Sequence, residues 1–253
     1  MNPMQIRIEE ARKRGKVGLI PFLPAGFPDR ERFWKELEQL DAAGAAVIEI
    51  GMPFSDPVAD GPVVEKASLR CLDDGINLAW IFEGLKARKG RFKAALLLMG
   101  YLNPVYQYGL NAFAADCEAG GVSGLIIADM PHEESAFVRD AMRPRGVSLV
   151  PLVGLNTTRE RMKLYADGAE GFCYFVSVLG TTGRRESLPA KIKEKLAEAR
   201  EVFDIPIALG FGISRPEQVA PFEGLMDAAV FGSALITHIE AGGASAEFMA
   251  PWE

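Results

Sequence analysis

A carboxylate interrupts one of the most apolar stretches of the chain. Glu49 stands within residues 45–51, AAVIEIG, although a strand that is covered on both faces is normally apolar throughout. Burial disfavours the charged form and raises the pKa of a carboxyl group, which suits a general acid or base near neutral pH. The alternative is a glutamate near a strand end that forms an ion pair with a neighbour. The residue types alone support the two interpretations equally.

Two further carboxylates follow at once in residues 51–62, GMPFSDPVADGP. Asp56 and Asp60 precede Pro and Gly, so turn formation explains either of them taken alone. Together with Glu49, over which this loop can fold, they indicate a site with two carboxylates. Two carboxyl groups in different environments can divide the roles of general acid and general base.

Glycines cluster after three of the later apolar runs, in residues 179–183 (LGTTG), 209–214 (LGFGIS) and 231–234 (FGSA). Glycine lets the backbone approach an anion, and N–H groups that are free at turns and helix starts bind phosphate. The clusters therefore predict a phosphate site, with Ser233 as a further hydroxyl donor. The alternatives are strand termination by glycine and helix capping by serine.

Three aromatic residues lie at or near the ends of apolar runs: Phe22, Tyr174 and Phe211. They fit an apolar pocket that holds a flat ring. Taken without the other signals, they are better explained by ordinary core packing.

The elements that must position these residues alternate regularly. Short apolar runs, each followed by a helix-periodic segment, predict βαβ units around a parallel sheet. The predicted strands are 18–22, 46–50, 94–99, 124–128, 148–152, 171–176, 206–209 and 228–231. A length of 253 residues matches one (β/α)8 TIM barrel, so we predict an α/β fold with a single barrel domain over 1–253. An open doubly wound sheet is the alternative, because periodicity does not show closure.

Two segments lie outside this pattern. Residues 1–16 contain a predicted extra N-terminal helix that caps the bottom of the barrel, with apolar positions at Met4, Ile6, Ile8 and Ala11. The tail, residues 241–253, is rich in Gly and Ala, and we expect it to be disordered or a local addition.

Composition excludes several other kinds of site. The net charge is −6 and Lys and Arg form no stripe, which argues against nucleic-acid binding. The two histidines and three cysteines have no metal-ligand spacing, so no metal is predicted. No apolar run approaches the ~20 residues of a membrane span, and the N-terminus lacks a signal-peptide core. The chain is therefore expected in the cytoplasm, away from membranes and with free thiols.

Four motifs together resemble the tryptophan synthase alpha chain family. They are residues 48–62 (IEIGMPFSDPVADGP), 98–105 (LMGYLNPV), 128–131 (ADMP) and 210–214 (GFGIS). The likeness runs from about residue 17 to about residue 238, and the segment from Glu49 to Asp60 is its most specific part. It implies a lyase of L-tryptophan biosynthesis that reversibly cleaves indole-3-glycerol phosphate to indole and glyceraldehyde 3-phosphate.

The resemblance also implies residue roles. Glu49 matches the catalytic acid–base, and Asp60 matches the carboxylate that faces the indole N–H. Thr182 matches a threonine that meets Asp60 when the loop after the sixth strand closes. The phosphate cradle would consist of Gly183, Gly212, Gly232 and Ser233. The indole pocket would consist of Phe22, Tyr174 and Phe211.

A partner follows from the same resemblance. The family works with a beta chain that carries pyridoxal phosphate, as an alpha2beta2 heterotetramer, so no cofactor is expected in this chain. The matching contact residues are Asp56, Asn103, Pro104 and Pro131. Pro24 departs from the family, which more often has Thr or Ser there, and the tail has no match.

Other functions stay open at this point. An indole-glycerol-phosphate synthase would need a catalytic lysine at a strand end, and no predicted strand presents one in its interior; a phosphoribosylanthranilate isomerase is a further barrel rival. A non-catalytic subunit that only activates a beta chain need not keep both Glu49 and Asp60. A stand-alone lyase that releases free indole is barely distinguished from a subunit by sequence.

Overall fold

A computed structural model describes residues 1–177, 191–210 and 212–252. Its strands are β1 Gly18–Pro24, β2 Val47–Gly51, β3 Ala95–Gly100, β4 Val122–Ile127, β5 Ser148–Leu149, β6 Leu152–Gly154, β7 Cys173–Val176, β8 Ile207–Gly210 and β9 Ala228–Phe231. Its α-helices are α1 Pro3–Lys13, α2 Arg30–Ala42, α3 Pro62–Asp73, α4 Leu78–Lys86, α5 Leu102–Tyr108, α6 Leu110–Gly120, α7 Ala136–Met142, α8 Arg159–Ala166, α9 Lys191–Val202, α10 Ser233–Glu240 and α11 Ser245–Met249. Short 3-10 turns are His132–Glu134, Arg143–Arg145, Pro216–Gln218, Ala220–Phe222 and Ala250–Trp252. In these ranges no helix is both long enough and apolar enough to cross a membrane.

The strands form one parallel sheet that closes on itself. Their order is β5-β4-β3-β2-β1-β9-β8-β7-β6, and its two end strands are separated in the chain only by Val150 and Pro151. The Val150 N–H donates to Leu125 O at 2.9 Å, and the Tyr174 N–H donates to Pro151 O at 3.0 Å. β5 and β6 are thus two parts of one barrel strand, interrupted where proline has no N–H to donate.

Closure settles the fold class. Because β5 and β6 share one position, the nine strands fill eight places in the ring, and the predicted (β/α)8 barrel is confirmed. The alternative of an open doubly wound sheet is wrong. Each predicted strand is present with ends within two residues of the observed ones.

The barrel interior is closed from below by α1. Met4 and Ile8 are fully buried and pack against inward-facing strand residues such as Ile20 and Val47. Asn2 begins the helix, since its side-chain oxygen accepts from the Met4 N–H at 2.8 Å. Ile6, another of the predicted apolar positions, lies outside this buried face. It is 37% exposed, because the spacing of residues 4, 8 and 11 defines the buried helix face.

The tail is folded. α11 buries Ser245 and Met249 completely, and the buried carboxylate of Glu36 on α2 accepts from the Ser245 N–H at 2.8 Å. The expectation of disorder is therefore wrong for residues 241–252. The contacts that order this segment come from α2, far away in sequence, so its local composition did not reveal them.

Candidate active site

Glu49 reaches the barrel interior because side chains alternate along β2. Val47 packs in the interior cluster, whereas Ile48 and Ile50 belong to the layer between strands and helices. Glu49 lies level with Phe22 of β1 and Leu97 of β3. The strand therefore carries a carboxyl group into an apolar interior, where it is 1% exposed.

The environment of Glu49 favours the protonated form. Among the residues that the structure describes, neither carboxylate oxygen has a hydrogen-bond partner. Burial, and secondarily the charge of Asp60, raise the pKa of Glu49 to about 8. An unpaired buried charge is costly, so this group holds its proton at neutral pH. The alternative of a strand-end ion pair finds no support in these contacts.

Asp60 faces the same cavity from the loop between β2 and α3. Burial raises its pKa to about 6, while a hydrogen bond from the Tyr101 hydroxyl lowers it and the charge of Glu65 raises it. The two carboxyl groups therefore have pKa values on either side of neutrality. Such a pair can divide the roles of acid and base.

The cavity lies at the carboxyl ends of the strands, where barrel enzymes hold their active sites. Its volume is about 600 Å³, part of which is open to solvent. Its lining is Phe22, Glu49, Ala59, Asp60, Val64, Met99, Tyr174, Gly212, Ile213, Val230, Phe231, Gly232, Ser233 and Ala234. Residues from both halves of the sequence therefore meet in one space.

One end of the cavity suits an anion. α10 begins at Ser233, directly after β9, and the N–H groups of a first helical turn have no acceptor within the helix. Gly212 lines the same cavity, with a φ of +75° that favours glycine. Backbone donors at a helix start and a glycine turn form the kind of site that holds phosphate.

The aromatic end depends on neighbouring glycines. A Cβ atom at Gly51 or Gly232 would lie 2.7 or 2.8 Å from the Phe22 ring. A Cβ atom at Gly210 would lie 2.4 Å from the Tyr174 ring. Burial, with the charges of Glu49 and Asp60, raises the pKa of Tyr174 well above its usual value, so this side chain is a neutral ring against the cavity.

The predicted site residues fall into three groups. The structure brings seven of them together in the cavity lining: Phe22, Glu49, Asp60, Tyr174, Gly212, Gly232 and Ser233. Thr182, Gly183 and Phe211 lie outside the described residues. The predicted partner contacts lie after β2, β3 and β4 on the same barrel face, on loops for Asp56 and Pro131 and on α5 for Asn103 and Pro104.

Tyr101 is a site residue that sequence reasoning missed. It is 2% exposed and stands between the end of β3 and the start of α5. Its hydroxyl oxygen accepts from the Ala59 N–H at 3.0 Å and its O–H donates to the Asp60 carboxylate. The signal that could have found it is its place directly after a strand, within the LMGYLNPV motif.

Comparison with known proteins agrees with this geometry. The sequence model described as "Tryptophan synthase alpha chain" matches residues 8–250, which includes most of the tail. The chain is 62% identical over 247 residues to the tryptophan synthase alpha chain of Maridesulfovibrio salexigens, covering 98% of this chain and 97% of that one. It is 60% identical to that of Solidesulfovibrio magneticus, covering 97% and 96%.

Solved structures give the same result. The tryptophan synthase alpha chain of Legionella pneumophila superposes with a TM-score of 0.87 at 31% identity, covering 100% of this chain and 95% of that one. A chain of Mycobacterium tuberculosis tryptophan synthase superposes with a TM-score of 0.89 at 29% identity, covering 99% and 98%. The family match spans nearly the whole chain, and the resemblance seen in the motifs is confirmed. The chain belongs to the tryptophan synthase alpha chain family and is a lyase of L-tryptophan biosynthesis that cleaves indole-3-glycerol phosphate.

Proposed function

We propose that Glu49 and Asp60 carry out the acid–base chemistry of this cleavage, which yields indole and glyceraldehyde 3-phosphate. The observation that carries the proposal is a single cavity that is lined by two carboxyl groups of different pKa, by aromatic rings and by a helix start. The rings fit an indole, and the helix start fits a phosphate. A substrate that bears both groups would lie across the two carboxyl groups.

The reaction needs two proton transfers. Glu49, protonated at neutral pH, gives its proton to indole C3, and the positive charge that develops on the indole nitrogen is stabilised by the Asp60 carboxylate. The Glu49 carboxylate then takes the proton of the glycerol hydroxyl. The O–H electrons form the aldehyde C=O, and the electrons of the broken C–C bond restore the indole double bond. Glu49 ends in its starting state, so protons balance.

The binding roles are proposals as well. Phe22 and Tyr174 would hold the indole, and Gly212 with the start of α10 at Gly232 and Ser233 would hold the phosphate. Both groups line the cavity, which supports this assignment. Phe211, Gly183 and Thr182 remain predictions, with Thr182 meeting Asp60 on closure of its loop, which would exclude water.

Replacement of Glu49 tests the proposal. Glu49→Gln keeps the size of the side chain but removes its titratable proton, so cleavage should fall by at least ~10²-fold, the lower range for general acid–base catalysis. The measurement is indole release from indole-3-glycerol phosphate, with folding checked by thermal unfolding. Glu38→Gln, at an exposed position on α2, is the matched control and should keep full activity. Substantial turnover by a folded Glu49→Gln protein would refute the assignment.

We propose further that the chain works with a beta chain as an alpha2beta2 heterotetramer in the cytoplasm, and that pyridoxal phosphate belongs to that partner. Asp56, Asn103 and Pro131 are exposed on one barrel face, in the segments that follow β2, β3 and β4, as a docking surface requires. The three cysteines are free and buried, which suits a reducing compartment. Indole release measured with and without a beta chain separates a subunit from a stand-alone lyase and from a non-catalytic activator.

A further inference from the structure

Phe231 connects the phosphate end of the cavity with the C-terminal segment, residues 241–252. It is the last residue of β9 and directly precedes Gly232 and Ser233. Val230 packs in the barrel interior and Phe231 packs in the outer layer. Outside the barrel the Phe231 ring stacks on Trp252, with centroids 5.2 Å apart and planes at 17°. Phe248 of α11 packs on the same ring at 5.5 Å.

Polar contacts hold the C-terminal segment on α2. The Glu36 carboxylate, 2% exposed, accepts from the Ser245 N–H at 2.8 Å and also from the Ser245 hydroxyl. Arg32 donates to Glu36 at 2.8 Å and to Gly243 O at 2.5 Å. A buried carboxylate needs these donors, so the start of α11 has a defined position on α2.

A further contact joins the C-terminal segment to α10, the helix whose first turn faces the cavity. His238 of α10 donates through Nε2 to Ala244 O at 3.1 Å, and its ring packs on Phe248 at 5.7 Å. The C-terminal segment therefore contacts both Phe231 and α10, which lie on either side of the turn at Gly232 and Ser233 (the Gly232 turn).

The Gly232 turn has packing on two sides. On the interior side the Phe22 ring packs so closely that a Cβ atom at Gly232 would lie only 2.8 Å from it. From the exterior, Trp252 and Phe248 fix Phe231. Gly232 has no side chain of its own to set its position, and β9 is only four residues long. The location of the N–H donors at Ser233 therefore depends on these neighbours.

We propose that the C-terminal segment positions the phosphate-binding turn, with Trp252 as a positioning residue that acts through Phe231. This inference rests on the proposed phosphate role of Gly232 and Ser233. Loss of the Trp252 ring releases Phe231, and the donors at the start of α10 lose their alignment on the phosphate. Binding of the phosphate group is weakened more than binding of the indole, because the indole also has Tyr174, which packs on Gly210 rather than on Gly232.

The test compares Trp252→Ala with Trp80→Ala. Both tryptophans are half-buried, and Trp80 packs on Trp34 at 5.4 Å, away from the cavity. We expect Trp252→Ala to bind glycerol 3-phosphate about five- to tenfold more weakly, in line with the loss of one aromatic pair. The KM for indole-3-glycerol phosphate should rise in parallel with kcat unchanged, and the affinity for free indole should fall by less. Trp252→Phe should restore binding, and Trp80→Ala should lower thermal stability only.

Equal glycerol 3-phosphate affinity in Trp252→Ala and the unsubstituted chain would overturn the inference, as would equal weakening in Trp80→Ala. If Trp252→Ala does not fold, Trp252→Leu serves instead, because it keeps an apolar side chain without the ring, and the same two outcomes decide. An unsubstituted chain that binds no glycerol 3-phosphate would overturn the proposed phosphate site and this inference with it. If the unsubstituted chain and every variant bind glycerol 3-phosphate equally well, the inference about Trp252 is overturned and the proposed phosphate site stands.

Discussion

Glu49 and Asp60 share a cavity but differ in their surroundings. Glu49 is buried without a hydrogen-bond partner among the described residues, and its pKa is raised to about 8. Asp60 accepts a hydrogen bond from Tyr101, which limits the rise of its pKa to about 6. Between these two values Glu49 is protonated and Asp60 is ionised. This is the combination that the proposed proton transfers require.

The pH dependence of cleavage follows from this difference. Activity should fall as the pH rises through about 8, because Glu49 loses its proton, and as the pH falls through about 6, because Asp60 gains one. The measurement is kcat/KM for indole-3-glycerol phosphate across this range; the two values belong to the coupled pair. In Asp60→Asn, the residual kcat/KM should still fall as the pH rises through about 8 (the alkaline limb) but should no longer fall as the pH drops through about 6 (the acid limb). An unchanged acid limb in that variant would contradict the assignment.

Tyr101 should affect the reaction through Asp60. Tyr101→Phe removes a hydroxyl that donates to Asp60 and accepts from the Ala59 N–H. The pKa of Asp60 should then rise, so the acid limb of the pH profile moves upward and activity at pH 6 falls by about tenfold, the size of one charged hydrogen bond. The matched control is Tyr108→Phe, whose hydroxyl donates to Asp116 at 2.5 Å on the outer helices. A profile identical to that of the unsubstituted chain would show that Tyr101 only packs.

The strands set which side chains meet. Parallel pairing of β1, β2 and β3 places Phe22, Glu49 and Leu97 at one level, and alternation turns them inward. A shift of one residue in β2 would turn Ile48 or Ile50 into the cavity instead. The site therefore depends on the pairing register of these strands.

The α1 helix contributes stability without contributing to the cavity. Met4 is fully buried and its side chain fills the space beside Gly124 and Gly171. Met4→Ala should lower the free energy of unfolding by about 2–5 kcal/mol, as expected for a deleted core side chain. Urea denaturation measures this, and kcat below the unfolding range should not change. Ile6→Ala, at the exposed position of the same helix, should lower the free energy of unfolding by less than about 0.5 kcal/mol. Equal losses in the two variants would contradict the role of Met4 in filling the bottom of the barrel.

The two ends of the barrel have different roles. α1 closes the bottom, while the cavity and the loops after β2, β3 and β4 lie at the other end. Val58, on the loop after β2, and Tyr106, on α5, are 77% and 68% exposed, close in sequence to the predicted partner contacts. Exposed apolar residues beside polar ones are typical of a surface that binds another protein.

A charge placed on this surface should act only on the partner. Asn103→Arg, at an exposed position of α5, should weaken activation by a beta chain by about tenfold in apparent affinity, because a desolvated charge without a partner is costly at an interface. Activity of the chain alone should stay the same. Asn111→Arg, exposed on α6, is the control. Normal activation of Asn103→Arg would move the docking surface elsewhere.

The sequence alone carried the local information. Alternating apolar runs determined the strands to within two residues, because burial on both faces requires continuous apolar side chains. The motif from Glu49 to Asp60 pointed to the two carboxyl groups, since a carboxylate inside an apolar strand is rare. The glycine clusters pointed to the phosphate end for the same kind of local reason.

Only the tertiary structure decided the contacts between distant segments. The bond between Ser245 and Glu36 joins residues 209 positions apart, the Tyr101 hydroxyl reaches back 42 positions to Ala59, and ring closure occurs at Pro151. Periodicity and composition describe a residue's own element. Which side chain from another element completes a hydrogen bond or an aromatic stack depends on how the elements pack, and that is determined in three dimensions.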